Sequence, residues 1–323
     1  MDALSDVLRV SHLTGGVFLH ANFSAPWCMA AHIPVEHCGP YLGPASHLIT
    51  YHFVIEGELR LRMVAGDGAT HVLGPGDAVM MPRNEPHLMG SDLNVPPVTG
   101  REIVHPPKDG GLYTINHGGG GPLTRMVCGF LGCEYADGNP ILATLPSAFT
   151  LKGEDAGASE WIRSTFHFAA NEVAAGRPGS EITLAKLSEL LFVEAVRHYA
   201  ESLPEGRTGW LAGLCDPYVA RALALFHGDV ARPWTVDALG REIGLARSAL
   251  NDRFTRLIGV APMSYLGNWR MQVAAHKLRE TSASLAQIAA MVGYDSEAAF
   301  SRAFKKMFGI APATWRRSNK PTA

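Results

Sequence analysis

Four residues, GVAP at 259–262, return as GIAP at 309–312, 50 positions later. The likeness runs upstream: Leu239, Ile243, Gly244, Leu250 and Phe254 before the first copy match Ile288, Val292, Gly293, Phe300 and Phe304 before the second. A duplicated unit constrains the chain more than any composition figure, because both copies must fold alike. Each copy reads as a short helix, a tight turn and a second helix. Gly244 and Gly293 supply the positive φ that such a turn needs, and the small Gly240 and Ala289 let the two helices cross closely. Leu250 and Phe254, like Phe300 and Phe304, lie at i and i+4 and anchor the second helix inward. Its opposite face then presents Arg247, Ser248, Asn251 and Asp252 in the first copy, and Ser296, Glu297, Ser301, Arg302, Lys305 and Lys306 in the second. Arg and Asn are the residue types that bond guanine and adenine edges in a DNA major groove, whereas Lys305 and Lys306 suit phosphates. Residues 263–280 read as one helix with Tyr265, Leu266, Trp269, Met271, Ala274 and Leu278 on its buried stripe. Such a rod would hold two reading helices for successive groove segments roughly 34 Å apart.

Charge divides along the same line. From Tyr218 to the end there are 15 Lys+Arg against 7 Asp+Glu, about +8, while the rest carries 13 against 23, about −10. That asymmetry points to a polyanionic partner for the last third. No secretion signal and no apolar run near the roughly 18 residues of a membrane helix is visible, so no membrane partner is expected. Five cysteines without a framework spacing read as reduced thiols in a cytoplasmic protein.

The segment from about 234 to 317, with RSALNDRF, GVAPMSYL, IAAMVGYDSEAAFSRAFK and GIAP, strongly resembles the AraC/XylS family of bacterial transcription regulators. The resemblance implies a partner in double-stranded DNA and contact with RNA polymerase, and no enzymatic activity.

The first 150 residues are rich in Gly and Pro and carry short β-type runs, among them HLITYHFVI, GELRLRMVA and THVLGPGDAVMMPRNEPH. Many short strands between turn signals read as a sandwich or small barrel. GDAVMMPRNEPH resembles the second cupin motif, with Asn84 where that motif has glycine. The chain is thus similar to AraC-family members with a cupin-type sensor, which implies a small-molecule effector inside the barrel and a homodimer through the helices that follow. The metal ligands of cupin enzymes are missing in register: the carboxylate falls near Thr50, and two histidines near Pro44 and Ser46. His87 keeps its place, His52 shares a strand face with Thr50, and His47 is a neighbour of uncertain direction. Two readings stand: a divalent metal on His52 and His87, with or without a cysteine, or two histidines hydrogen-bonded inside the barrel. No cofactor is otherwise indicated. Cys128 with Cys133, and Cys28 with Cys38, are candidate redox thiols, although buried cysteine is the commoner case. NHGGGGPL lacks the Lys-Ser/Thr of a phosphate cradle and reads as a flexible turn.

Helical periodicity begins at Glu160. Leu184, Leu187, Leu191, Val193 and Val196 form a stripe that fits either the barrel or a dimer partner. The expected architecture is multidomain α+β: a cupin-like barrel over 1–155, amphipathic linker and dimerisation helices over 156–210, and an all-α tandem helix-turn-helix domain over 211–323. The function expected is a transcription regulator sensing a small molecule or stress. Metal- or thiol-based sensing, or a cupin enzyme fused to a DNA-binding module, stand as alternatives.

Overall fold

The computed structural model describes residues 2–11, 13–34, 42, 47–66, 68–104, 113–133, 139–153, 158–175, 179–204 and 206–318. It divides into two compact units that are not contiguous in sequence. One comprises Met1–Ser11, Asp137–Thr144 and Ala200–Ala323; the other comprises His12–Ala136 and Leu145–Tyr199.

The second of these is the sheet unit. Its six-stranded sheet runs in the order β11 (Phe149–Leu151), β6 (Ala78–Met81), β3 (His47–Glu56), β10 (Leu123–Cys133), β1 (Leu13–Ser24) and β9 (Tyr113–Gly118). Its five-stranded sheet runs β5 (Thr70–Leu73), β4 (Leu59–Met63), β7 (His87–Gly90), β2 (Cys28–Ala31) and β8 (Val98–Thr99). Phe23, Val54, Leu61, Val79, Met89 and Met126, drawn from both sheets, form one buried cluster between them. Strand β3 lacks polar alternation because both its faces are covered. Thr50, His52 and Val54 face the interior, while Tyr51 and Phe53 face the helices α4 (Ala158–Ala175) and α5 (Ser180–Glu201). Phe53 stacks on Phe166 at 4.3 Å between ring centroids, and Tyr51 Oη lies 3.4 Å from Ser188 Oγ.

One sequence reading changes here, that of the glycine run, and two gain detail. Leu184, Leu191 and Val196 of the α5 stripe are buried within the chain, while Leu187 and Val193 are half-buried. The glycine run after β9 is a fitted turn rather than a flexible one: Gly119 N–H donates to Ser24 O at 2.9 Å and Gly121 N–H to Ala25 O at 2.8 Å. A Cβ on Gly121 would lie 2.6 Å from Ala25 O, so the run is a close backbone approach. Asn84 occupies its glycine-type position at φ 48, and its side chain donates to Ile33 O at 2.7 Å. Asparagine tolerates that left-handed backbone and adds a tether that glycine cannot.

The helical unit opens with an element the sequence reading missed, α1 (Ala3–Ser11). Asp2 caps it, its carboxylate accepting from Ser5 N–H at 2.9 Å and Ser5 Oγ–H at 2.7 Å. Helix α1 buries Ala3, Val7 and Val10 against α7 (Pro217–Gly228) and α10 (Pro262–Glu280). The units therefore do not follow the spans 1–155, 156–210 and 211–323: the first apolar helix of the chain belongs to the core of the last segment.

Candidate nucleic-acid interface and sensor cavity

The repeat folds as two helix-turn-helix motifs. In the first, α8 (Val236–Ile243) is capped by Thr235, whose hydroxyl accepts from Ala238 N–H at 3.1 Å, and ends at Gly244 with φ 78. Helix α9 (Arg247–Ile258) follows, with Leu250 and Phe254 fully buried. In the second, α11 (Leu285–Met291) carries a Ser284/Gln287 capping box, Gly293 turns at φ 76, and α12 (Glu297–Phe308) buries Phe300 and Phe304. The close approach at Gly240 is to the turn, not to the next helix: a Cβ there would lie 2.6 Å from Leu245 O.

On α9, Arg247, Ser248 and Asp252 are exposed and Asn251 is half-buried; these four, with Val236 and Ala246, line a shallow concavity. On α12, Glu297, Arg302, Lys305 and Lys306 are exposed and Ser301 half-buried. Ser296 is taken up as the α12 N-cap, its hydroxyl accepting from Ala299 N–H at 3.2 Å. Arg247 lies 3.3 Å from Asp237, an exposed pair of little energetic weight that a phosphate or base edge can replace.

Several cations in the basic third are structural. Arg253 pairs with Asp216 and sits over the Tyr218 ring, and Arg316 donates to Leu278 O and Ala283 O. Arg270, on α10, donates to Val230 O (2.9 Å), Arg232 O (2.8 Å) and Gly293 O (3.2 Å), which ties the turn of the second motif to the approach of the first. The charge count from sequence therefore overstates the cations free to meet a polyanion.

In the sheet unit a cavity of about 110 Å³ lies between the sheets. His32, His52, His87, Thr50, Cys128 and Asn84 line it together with apolar side chains; His47 does not, its Nε2–H donating instead to Pro82 O at 2.6 Å. His87 Nδ1 lies 3.0 Å from Glu85 O, a group that only accepts, so Nδ1 carries the proton. The bare Nε2 of His87 then accepts from His52 Nε2–H at 3.1 Å. That leaves His52 Nδ1 as an acceptor with no partner, as Thr50 Oγ1 also has none. Burial holds both imidazoles neutral, with the His52 and His87 pKa values below the usual histidine range.

The two imidazoles by themselves offer a divalent ion two nitrogen donors. The two Nε2 atoms are joined through one proton, and among the described residues no three His, Cys, Asp or Glu side chains gather to hold a metal. The thiols also separate. Cys128 and Cys133 lie an odd number of residues apart on β10 and point to opposite sheet faces, so they cannot pair. Both are buried, as is Cys28, and burial pushes the Cys128 and Cys28 thiols up, away from reactive thiolate. Cys38 lies outside the described residues. What the sequence missed was that Cys128 joins the cavity. The i, i+2 spacing of Thr50 and His52 was readable, whereas the pairing of His52 with Cys128 across β3 and β10 needs the folded register.

No described helix is long and apolar enough to cross a membrane. A family model described as Cupin matches residues 2–201, and one described as a helix-turn-helix domain matches residues 239–318. A protein of Streptomyces antibioticus named as an AraC-like transcription regulator is 30% identical over 99% of this chain and 100% of its own length. Its counterpart in Streptomyces lividans is 31% identical over 98% of each chain. The transcriptional regulator AlkR of Acinetobacter baylyi is 27% identical over 99% of this chain and 100% of its own. With a cupin segment and a tandem helix-turn-helix segment in that order, and 30–31% identity across nearly the full length of two such regulators, the chain belongs to the AraC-like transcription regulators and is a DNA-binding regulator, not an enzyme.

Proposed function

We propose that a small molecule held in the cavity between the two sheets sets how strongly α9 and α12 grip their DNA site. The observation that carries this is a largely apolar cavity in one unit of a chain whose other unit carries two helix-turn-helix motifs. Such an effector acts only through different affinities for the DNA-competent and incompetent states. The protein works in the cytoplasm and meets RNA polymerase at its promoters.

Homodimerisation would use side chains that the chain leaves uncovered on α4 and α5: Trp161 (44% exposed), Phe168 (45%), Ile182 (72%) and Leu190 (51%). Leu190→Glu is expected to shift the sedimenting species from dimer to monomer with an unchanged fold. A dimer that persists removes this face from consideration.

The DNA reading is tested on the recognition helices, with fragments selected by the full-length protein from genomic DNA. Asn251→Ala is expected to relax base preference at one position, at a cost of about 1–3 kcal/mol on the preferred base. Lys306→Ala should weaken all sequences alike and reduce the salt slope by about 1. Uniform weakening by Asn251→Ala in a binding titration would remove it from base reading.

A further inference from the structure

The two reading helices are held in different ways. Helix α12 opens on Ser296, whose hydroxyl caps its first turn, whereas α9 opens on Ala246 and has no side-chain cap. What α9 has instead is a tie on its far side. Asp216 uses both carboxylate oxygens: Oδ1 accepts from Tyr218 N–H at 3.1 Å and Val219 N–H at 3.0 Å, which caps α7. Oδ2 accepts from Arg253 of α9, through Nε at 2.8 Å and Nη2 at 2.6 Å. The guanidinium also lies 4.9 Å from the centre of the Tyr218 ring. The counterpart of Arg253 in the second motif, 50 residues on, is Ala303, which can form no such tie.

Arg253 is badly placed to read bases itself. At 3.6 residues per turn it lies about 200° around α9 from Asn251, on the side away from the edge that Asn251 presents. The Asp216 side chain is 12% exposed and that of Arg253 36%, so the pair is better shielded than the exposed Arg247–Asp237 pair. We propose that Asp216 is a positioning residue for base reading: by holding Arg253 it fixes the rotation of α9 about its own axis, and so the reach of Arg247 and Asn251 to base edges. This role rests on the assignment of α9 as a base-reading helix given above. A helix free to rock loses the geometry that bidentate base contacts need, which costs discrimination between sequences more than grip on the phosphates.

The test uses the full-length protein and the DNA site it selects, with bases altered either in the segment that Asn251→Ala marks or in the other segment. Asp216→Asn keeps a capping oxygen for α7 but turns its amide N–H groups toward the guanidinium, donor against donor. Arg253→Met keeps the alkyl stem and leaves the α7 cap intact. Each is expected to cut discrimination in the Asn251-marked segment about tenfold, the worth of one good base contact, and to change it in the other segment less than about twofold. The double variant should lose no more than either single one, because both remove the same interaction. Equal losses in the two segments, or additive losses in the double variant, would show a tie that only stabilises the fold and would overturn the proposal. So would an Arg253→Met protein that weakens on all sequences alike with a lower salt slope, since Arg253 then meets a phosphate. If Asp216→Asn fails to fold, Arg253→Met still decides. Relaxation by Asn251→Ala without any by a folded Asp216→Asn removes the positioning role alone; no relaxation by Asn251→Ala removes the base-reading assignment of α9 and the positioning role with it.

Discussion

Gly293→Ala is expected to destabilise the helical unit by about 3 kcal/mol or more, whereas Gly244→Ala, its repeat equivalent, should cost only about 1–2 kcal/mol. Both glycines hold left-handed backbone, at φ 76 and 78, so both substitutions meet the same intrinsic penalty of about 1–2 kcal/mol. Their surroundings differ. A Cβ on Gly244 meets nothing within 4 Å, but on Gly293 it would lie 2.5 Å from Ala231 O and 2.7 Å from the Arg270 guanidinium. Arg270 cannot swing aside cheaply, because it donates to three backbone carbonyls, one of them that of Gly293. Overpacking a fixed site adds about 1–3 kcal/mol. Four of the six tryptophans, Trp210, Trp234, Trp269 and Trp315, lie in this unit, so denaturant unfolding followed by tryptophan fluorescence weighs toward it. DNA affinity should fall further for Gly293→Ala, since the second reading helix loses its support. Equal costs at the two positions would mean that Arg270 yields, and that the two motifs are not braced through it.

That difference marks where the sequence stops being informative. The repeat made both motifs readable because spacing alone, glycine then i and i+4 anchors, specifies a helix-turn-helix. The bracing arginine sits in neither copy, so no comparison of the copies finds it. The sheet unit was legible as short strands, but the burial of β3 on both faces was not, because Thr50 and His52 on one side of the run do not mark that side as covered. Thr50 and His52 could be put on one face by their two-residue spacing. The proton order through His87 to Glu85 O could not be read, since it needs β7, in the other sheet, and its preceding loop brought opposite β3. Cys128 and Cys133 looked like a pair from proximity in sequence, yet strand alternation places them on opposite faces. Helix α1 left the weakest signal: nine residues with Val7 and Val10 three apart, too short to argue for itself.

Deleting residues 2–11 is expected to lower the stability of the helical unit by about 4 kcal/mol and to change its response to acid. Val7 and Val10 are 2% and 4% exposed, and burying each side chain is worth about 1.5–3 kcal/mol, with Ala3 adding less. Beneath them Trp210 Nε1–H donates to Tyr265 Oη at 2.8 Å, and the Tyr265 hydroxyl donates to His227 Nε2 at 2.8 Å. The remaining His227 proton therefore sits on Nδ1, which faces Asp6 Oδ2 of α1 at 4.0 Å. Burial takes the His227 pKa from 6.5 down to about 3. Between those values the unfolded chain binds a proton that the folded one refuses. Stability present above pH 6.5 is thus lost as pH falls, at about 1.4 kcal/mol per unit through that window. Without α1, His227 is opened to water and its pKa returns toward the unfolded value, so the slope should flatten even as the unit weakens at pH 7. Fluorescence-detected unfolding of intact and truncated chains at pH 7, 6 and 5 measures both effects. An unchanged midpoint at pH 7 with an unchanged slope would show that α1 is not part of this core, and that His227 is kept neutral by α7 and α10 alone.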